Sequence, residues 1–248
     1  MDNNLTTYLL TKNNEKTIEA ALQSILWLNG KVIIGDMGSK DETVQIGRKH
    51  GAQVISFPFQ DDYGRAKNQL LKSHKSLWQL YLEPWEQIIT GHQAILEASQ
   101  EQAPRAHYLQ ILRGQTITKE IRLWNKNLRF LNPVFETVND DLATLLDPVV
   151  INSAGGKEEN IDHLLELWKK TDPLSEEPHY YQAYRFLHNK DYQKFASLAE
   201  KYADVNKKGM SAVMIRYHLA MVNIYSLGDN NKAVRYLLEC IAARPLMA

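Results

Sequence analysis

Short apolar runs alternate with amphipathic stretches along the first part of the chain. Leu5 to Thr11 (LTTYLLT) is β-prone and reads as a first strand, with Asn13 and Asn14 as the loop after it. From Thr17 to Leu28 the apolar residues Ile18, Ala21, Leu22, Ile25 and Leu26 fall on one helix face. Lys31 to Gly35 (KVIIG) is a compact apolar run of the kind found in buried parallel strands. Thr43 to His50 reads as a helix stopped by Gly51, and Gln53 to Phe57 (QVISF) as the next strand. This alternation predicts βαβ units and a parallel sheet. Farther on, the pattern predicts a helix over Gly64 to His74, a fourth strand at Trp78 to Leu82 and a helix from about Glu86 to Ser99. Further strands are expected at His107 to Leu112 and Ile117 to Trp124.

The texture changes near Asn152. Ser153 to Lys157 (SAGGK) reads as a hinge or loop, and the remaining signals are helical. Ile161, Leu164, Leu165 and Trp168 form one apolar stripe. Tyr181, Tyr184 and Leu187 form a second, and Tyr192, Phe195, Leu198, Ala199 and Tyr202 a third. Met210 to Leu227 and Asn231 to Ala243 supply two more helices. Two stretches of this tail, HYYQAYRFLHNKDYQKFASLAEKY and RYHLAMVNIYSLGDNNKAVRYLLECI, share an aromatic helix, a polar turn containing Asp191 or Asp229, and a second helix. They read as degenerate helical hairpins similar to tetratricopeptide repeats, or as a helical bundle without repeat ancestry. The expected division is an α/β domain over residues 1–152 and a helical domain over residues 153–248.

Composition narrows the function classes. The 248 residues are 44% hydrophobic and 23% charged with a formal net charge of zero, so nothing points to nucleic acid as a partner. One cysteine, Cys240, allows no intrachain disulfide and fits a reducing setting. The start, MDNNLTTYLLTKNNEKT, does not have the form of a signal peptide, and no apolar run approaches the length of a membrane span. A cytoplasmic location is therefore expected.

Four segments carry candidate chemistry. Leu9 to Ile25 (LLTKNNEKTIEAALQSI) follows a strand with Thr11, Lys12 and Asn13. Ile33 to Thr43 (IIGDMGSKDET) places Asp36 at a strand's carboxyl end, where it can accept hydrogen bonds from a base N–H or a ribose hydroxyl. The turn by itself would also be explained if Ser39 or Asp41 merely capped a helix. Asp62 to Ser73 (DYGRAKNQLLKS) carries Arg65, Lys67 and Asn68, which by themselves also suit a basic helix face. Glu120 to Val138 (EIRLWNKNLRFLNPVFETV) carries Arg122, Leu123, Trp124 and Glu136. The four, in this order, resemble the family 2 glycosyltransferases. Within that family they resemble the branch that adds sugars to lipopolysaccharide cores and the branch that ends in tetratricopeptide-like helices. The resemblance covers roughly residues 5–150 and extends loosely over the tail.

The resemblance implies a GT-A, Rossmann-like domain that binds a UDP- or GDP-type sugar donor. Thr11, Asp36, Arg65, Lys67, Asn68 and Arg122 would be the donor-binding residues. It also implies inverting transfer to an acceptor on a glycan, a lipid-linked sugar or a protein, with a carboxylate as general base. Glu136 and Glu86 are the candidates, and both stay open. Relatives carry Asp-Ala-Asp-Glu after the fourth strand, whose Asp pair holds Mn²⁺ or Mg²⁺ on the diphosphate. Here Glu83, Pro84, Trp85 and Glu86 stand in those positions, leaving Glu83 as a metal-ligand candidate and Trp85 with no oxygen to offer. Phe135 likewise replaces a His near the acceptor. Trp85 reads as core packing or as a stacking platform for a sugar or base. These departures leave two expectations: transfer that leans on Lys67 or Arg122 in place of a metal, or an inactive scaffold that engages a protein partner through its helical tail.

Overall fold

The computed structural model describes residues 4–74, 76–133, 136–153, 161–173, 175–205 and 210–243. The chain divides into two compact units, Met1–Glu159 and Asn160–Ala248. Among the described residues, no helix is long and apolar enough to cross a membrane.

The first unit is built on one sheet. Its strands are β1 (Leu5–Thr11), β2 (Lys31–Asp36), β3 (Gln53–Ser56), β4 (Trp78–Tyr81), β5 (Glu86–Thr90), β6 (Ala106–Arg113), β7 (Thr116–Trp124) and β8 (Thr144–Ser153). They lie in the order β3-β2-β1-β4-β7-β6-β8-β5. The helices are α1 (Ile18–Ile25), α2 (Thr43–Lys49), α3 (Tyr63–Lys72) and α4 (His92–Ala98). The first four strands pair in parallel, as the strand–helix alternation predicts, and β7 joins β4 antiparallel.

The two-residue period of a strand explains the two cores. Leu5 and Leu9 of β1 and Ile34 of β2 pack with Ile18, Leu22 and Ile25 of α1 and with Ile95 of α4. Tyr8, Leu10 and Ile33 face the other way, onto Ala66, Leu70 and Leu71 of α3. Helices on both faces leave the carboxyl edge of β1, β2 and β4 as the place where polar groups gather. This is where open α/β sheets bind ligands.

Two expectations are corrected. The helix predicted from Glu86 to Ser99 is instead strand β5 followed by α4. Gly91, at φ +83°, makes the break, and a Cβ there would sit 2.6 Å from the Val149 backbone. The Gln87-Ile88-Ile89-Thr90 run becomes a strand because β8 pairs antiparallel with it, a non-local contact that overrides local pattern. Strand β8 itself lies in a stretch assigned no element above. Pro148 interrupts its apolar run, and the β6–β8 register shifts there. Ser153, expected to open the hinge, ends β8, and residues 154–157 of that hinge lie outside the described residues.

The second unit is all helical, with α5 (Ile161–Thr171), α6 (Glu177–His188), α7 (Tyr192–Val205), α8 (Met210–Val222) and α9 (Asn230–Ala243). A π-helical turn over Asn223–Leu227 continues α8 and ends at Gly228, whose φ is +75°. The two polar turns do equivalent work. Asp191 accepts the Lys194 N–H at the start of α7, and Asp229 accepts the Lys232 N–H at the start of α9. Phe195, Ala199 and Tyr202 form the buried face of α7, as the third stripe predicts. The second stripe is shifted. The buried residue of α6 facing this core is Ala183, flanked by Tyr180, Tyr184 and Leu187, while Tyr181 lies tilted against Trp168 of α5, with ring centres 6.2 Å apart. Arg216 of α8, itself buried, donates to the Ala203 carbonyl of α7 and pairs with Glu239 of α9, so one side chain ties three helices.

Candidate functional site

Thr11 and Asp36 are register partners at the carboxyl ends of β1 and β2, and both are buried. The loops that follow these strands are knitted together. The Asn13 N–H donates to Ser39 Oγ, the Lys40 N–H to Asn13 Oδ1, the Asn14 N–H to Thr43 Oγ1 and the Glu15 N–H to Asp41. Asn14 is a hub: its Oδ1 accepts the Thr11 hydroxyl at 2.8 Å and the Lys12 N–H at 3.0 Å. Asp36 closes its own turn by accepting the Gly38 N–H at 3.2 Å and the Ser39 N–H at 3.0 Å. Gly38 permits that turn with φ +93°. Part of the acceptor capacity of Asp36 is thus used within the protein. Asp41 is held below its usual carboxylate range: slight burial works the other way, but the Thr43 hydroxyl and neighbouring N–H groups favour the charged form.

A second cluster lies at the end of β4. Helix α3 begins at Asp62, which accepts the Arg65 N–H at 2.7 Å, and its inner face buries Ala66, Lys67, Leu70 and Leu71. This delivers the Lys67 ammonium between two carboxylates, Glu83 Oε1 at 2.6 Å and Glu136. The ammonium also sits 4.5 Å from the Tyr81 ring centre and 5.0 Å from that of Phe130. Burial works against its charge, but Glu136 and Glu83 prevail and hold its pKa well above the ordinary lysine value. Glu136 directly precedes Thr137 of the Leu131–Thr137 bridge, and Asn68 fixes the start of that segment by exchanging two hydrogen bonds of 2.8 Å with the Phe130 backbone.

A third cluster adjoins it. Glu86 is fully buried, with Oε1 on Arg122 at 3.0 Å and Oε2 accepting the Glu83 N–H at 2.9 Å. The Glu86 N–H returns to the Glu83 carbonyl, so the Glu83-Pro84-Trp85-Glu86 turn is closed by reciprocal bonds. Arg122 continues to Glu120 at 2.8 Å, and Glu120 to Arg113 at 2.8 Å. Burial raises the Glu86 pKa against the pull of Arg122. Burial disfavours the charge on Arg122, yet Glu86 and Glu120 keep its guanidinium more firmly protonated than usual.

The nominated residues therefore fall into separate groups. Thr11 lies with Asp36, Lys67 with Glu83 and Glu136, and Arg122 with Glu86. Arg65 is exposed and lines a different space, a cavity of about 890 Å³ bounded by α3 and the Lys126–Pro133 loop. Trp85 is half-buried, and Phe135 lies outside the described residues. Sequence reading missed Tyr81, Phe130, Glu120 and Asn14. Tyr81 had a usable signal: it is two residues before Glu83, on the same face of the extended chain.

The divalent cation implied by the resemblance does not fit these residues. One Glu83 oxygen is bonded to Lys67, the other accepts the Tyr81 hydroxyl at 3.3 Å, and Trp85 carries no oxygen. Among the described residues, no group of three or more His, Cys, Asp or Glu is placed to hold a metal. Glu83, nominated above as a metal ligand, is the partner of a built-in ammonium.

No protein-family model matches the chain. It is similar to a TPR repeat-containing protein of Synechococcus elongatus, 26% identical over 145 residues that cover 55% of this chain and 36% of that protein. It is also similar to an uncharacterized glycosyltransferase of Rickettsia typhi, 29% identical over 156 residues that cover 60% of this chain and 53% of that protein. The chain thus spans about a third to a half of the length of these curated relatives. Among solved structures it resembles residues 1–349 of S. aureus TarS in complex with UDP, with a TM-score of 0.52, 11% identity, and coverage of 99% of this chain and 92% of that one. The same TarS fragment in complex with UDP-GlcNAc gives a TM-score of 0.50 at 14% identity, covering 98% and 81%. At such identities the solved structures speak for the fold: an N-terminal mixed α/β, GT-A-like domain followed by an all-α, TPR-like domain.

Proposed function

We propose that the α/β domain binds the nucleoside diphosphate of a sugar donor at the carboxyl edge of β1, β2 and β4 and transfers the sugar to an acceptor with inversion. The observation that carries this reading is Asp36, buried at the carboxyl end of an apolar strand, beside Thr11 and next to a turn locked to the Asn13–Glu15 loop. A carboxylate so fixed has free lone pairs for a base N–H or a ribose hydroxyl. Of the two base candidates we favour Glu136. Its side chain is 13% exposed and Lys67 engages Oε1, whereas Glu86 is fully buried with both oxygens used. Glu86 and Arg122 then act as a brace behind the β4 turn, with Arg122 positioning the turn rather than touching donor. The relatives and structures above, one called a glycosyltransferase and one holding UDP-GlcNAc, support the same reading.

A second reading, a non-catalytic binding protein whose TPR-like domain engages a protein partner, is favoured by Lys67 occupying both Glu83 and Glu136. Calorimetry with UDP, GDP and their sugars tests the first. One nucleotide should bind, and Asp36→Ala should weaken it by about 1.5–3 kcal/mol, the range for a hydrogen bond to a charged group. The same substitution should also cost some stability, because the Gly38 and Ser39 N–H groups lose their acceptor. Absence of binding by every nucleotide would leave only the second reading.

A further inference from the structure

We propose that Lys67 is the resident cation of this site, standing between Glu83 and Glu136 in the role the resemblance assigns to a divalent metal, so that the site excludes metal. The inference concerns the donor site proposed above, but its central test needs no nucleotide.

Three separate parts of the chain converge to make the arrangement: α3 supplies Lys67, the end of β4 supplies Glu83 and the residue just before Thr137 of the Leu131–Thr137 bridge supplies Glu136. An ammonium has three N–H donors and no acceptor. Two directions are taken by the carboxylates, and the remaining side faces the Tyr81 and Phe130 rings. The Lys67 side chain is only 4% exposed, so it is not a mobile surface charge that a solvated ion could displace at little cost. A hard divalent ion needs several oxygens at short, fixed reach. Here it would have to strip Glu83 from both Lys67 and Tyr81 and then sit beside the freed ammonium, where like charges repel strongly. The turn reinforces the exclusion. Trp85 brings no oxygen, and Glu86 is held away by Arg122 and the Glu83 N–H.

The test is Mn²⁺ binding to the full chain, followed by electron paramagnetic resonance of the free ion. Wild type and Lys67→Arg, which keeps the charge, should show no saturable site at this carboxylate pair. Lys67→Ala, shown folded by circular dichroism, should gain one, binding Mn²⁺ at least about tenfold more tightly than wild type through the two freed carboxylates. Lys67→Ala/Glu83→Gln should lose it again. A saturable Mn²⁺ site in wild type that Glu83→Gln removes would overturn the inference, and so would a folded Lys67→Ala protein that gains none. If Lys67→Ala does not fold, the wild-type and Glu83→Gln titrations decide alone: no site removed by Glu83→Gln supports the inference. Nucleotide titrations with and without chelator complete the set. Chelator-insensitive binding agrees with a resident ammonium. Failure of all nucleotides to bind would defeat the donor-site reading and leave the Mn²⁺ result standing.

Discussion

Replacing Arg122 by Met should destabilise the α/β domain at neutral pH and much less at mildly acidic pH. The guanidinium is the counter-charge of Glu86, which is 0% exposed and whose pKa burial already raises. Without Arg122, an ionised Glu86 is uncompensated, a situation that costs about 3–5 kcal/mol in buried pairs. Protonation sets a ceiling on that cost. Taking up a proton at pH 7 from an ordinary value of 4.5 requires about 3.4 kcal/mol, at about 1.36 kcal/mol per pH unit. At pH 5 the same step requires only about 0.7 kcal/mol.

The sign follows from proton binding. In the variant, the folded-state pKa of Glu86 rises farther above its unfolded value than in wild type. The native variant therefore holds more protons than its unfolded chain, and its stability climbs as pH falls toward 4.5. The gap between wild type and Arg122→Met should be about 3 kcal/mol at pH 7, and smaller by about 2 kcal/mol at pH 5. Urea denaturation read by tryptophan fluorescence suits the measurement, because four of the five tryptophans (Trp27, Trp78, Trp85 and Trp124) lie in this domain. Arg122→Met/Glu86→Gln, which removes both charges, should be more stable at pH 7 than Arg122→Met. A gap below about 1 kcal/mol at pH 7, or one that does not change with pH, would refute the assignment of Glu86 and Arg122 as a buried pair.

Two further substitutions probe the scaffold around the site. A Cβ on Gly64 would lie 2.3 Å from the Asn132 carbonyl oxygen, so Gly64→Ala must push the loop that carries Glu136 away from α3. A loss of about 1–3 kcal/mol is expected, and unchanged urea stability would mean that this loop does not pack there. The fully buried Tyr8 hydroxyl, which donates to the His74 carbonyl, has its pKa pushed up to about 12 by burial. The unfolded chain then loses this proton near pH 10 while the native state keeps it. Stability should fall as pH rises from 10 to 12, by at most about 2.7 kcal/mol from this group, and Tyr8→Phe should lack that share of the slope.

What the sequence made legible follows from locality. The β1 to β4 strands and α1 to α3 were visible because each short segment carries its own period and its own stop, such as Gly51 after α2. The helical hairpins were visible for the same reason, down to the polar turns that hold Asp191 and Asp229, and the structure adds that both residues cap the helix that follows. Strand β5 was misread because Glu86 to Ser99 holds enough helix formers to look continuous. Its strand state depends on β8, some sixty residues later, which no local window contains. The site divided in the same way. Asp36 and Lys67 stood out by motif, but that Glu83 and Glu136 meet on one ammonium depends on how α3, β4 and the later loop pack. The role of Asn14 was hidden because only the folded loop brings its amide oxygen to the Thr11 hydroxyl and the Lys12 N–H.

The charged groups around β4 form one consistent set. Without Lys67, Glu83 and Glu136 would face each other in a half-buried space without a counter-ion, an arrangement that raises the free energy of the fold. Each carboxylate instead has a cation: Glu83 and Glu136 share Lys67, Glu86 has Arg122, and Glu120 bridges Arg122 and Arg113. The network balances three cations against four carboxylates, and the turn between Glu83 and Glu86 is closed by bonds that Glu86 itself supplies. The buried cations Lys67 and Arg122 each join carboxylates from separate parts of the chain. On the function proposed here, the donor is met by Thr11 and Asp36 at the carboxyl ends of β1 and β2, residues outside this network, so nucleotide binding does not require a metal among these carboxylates.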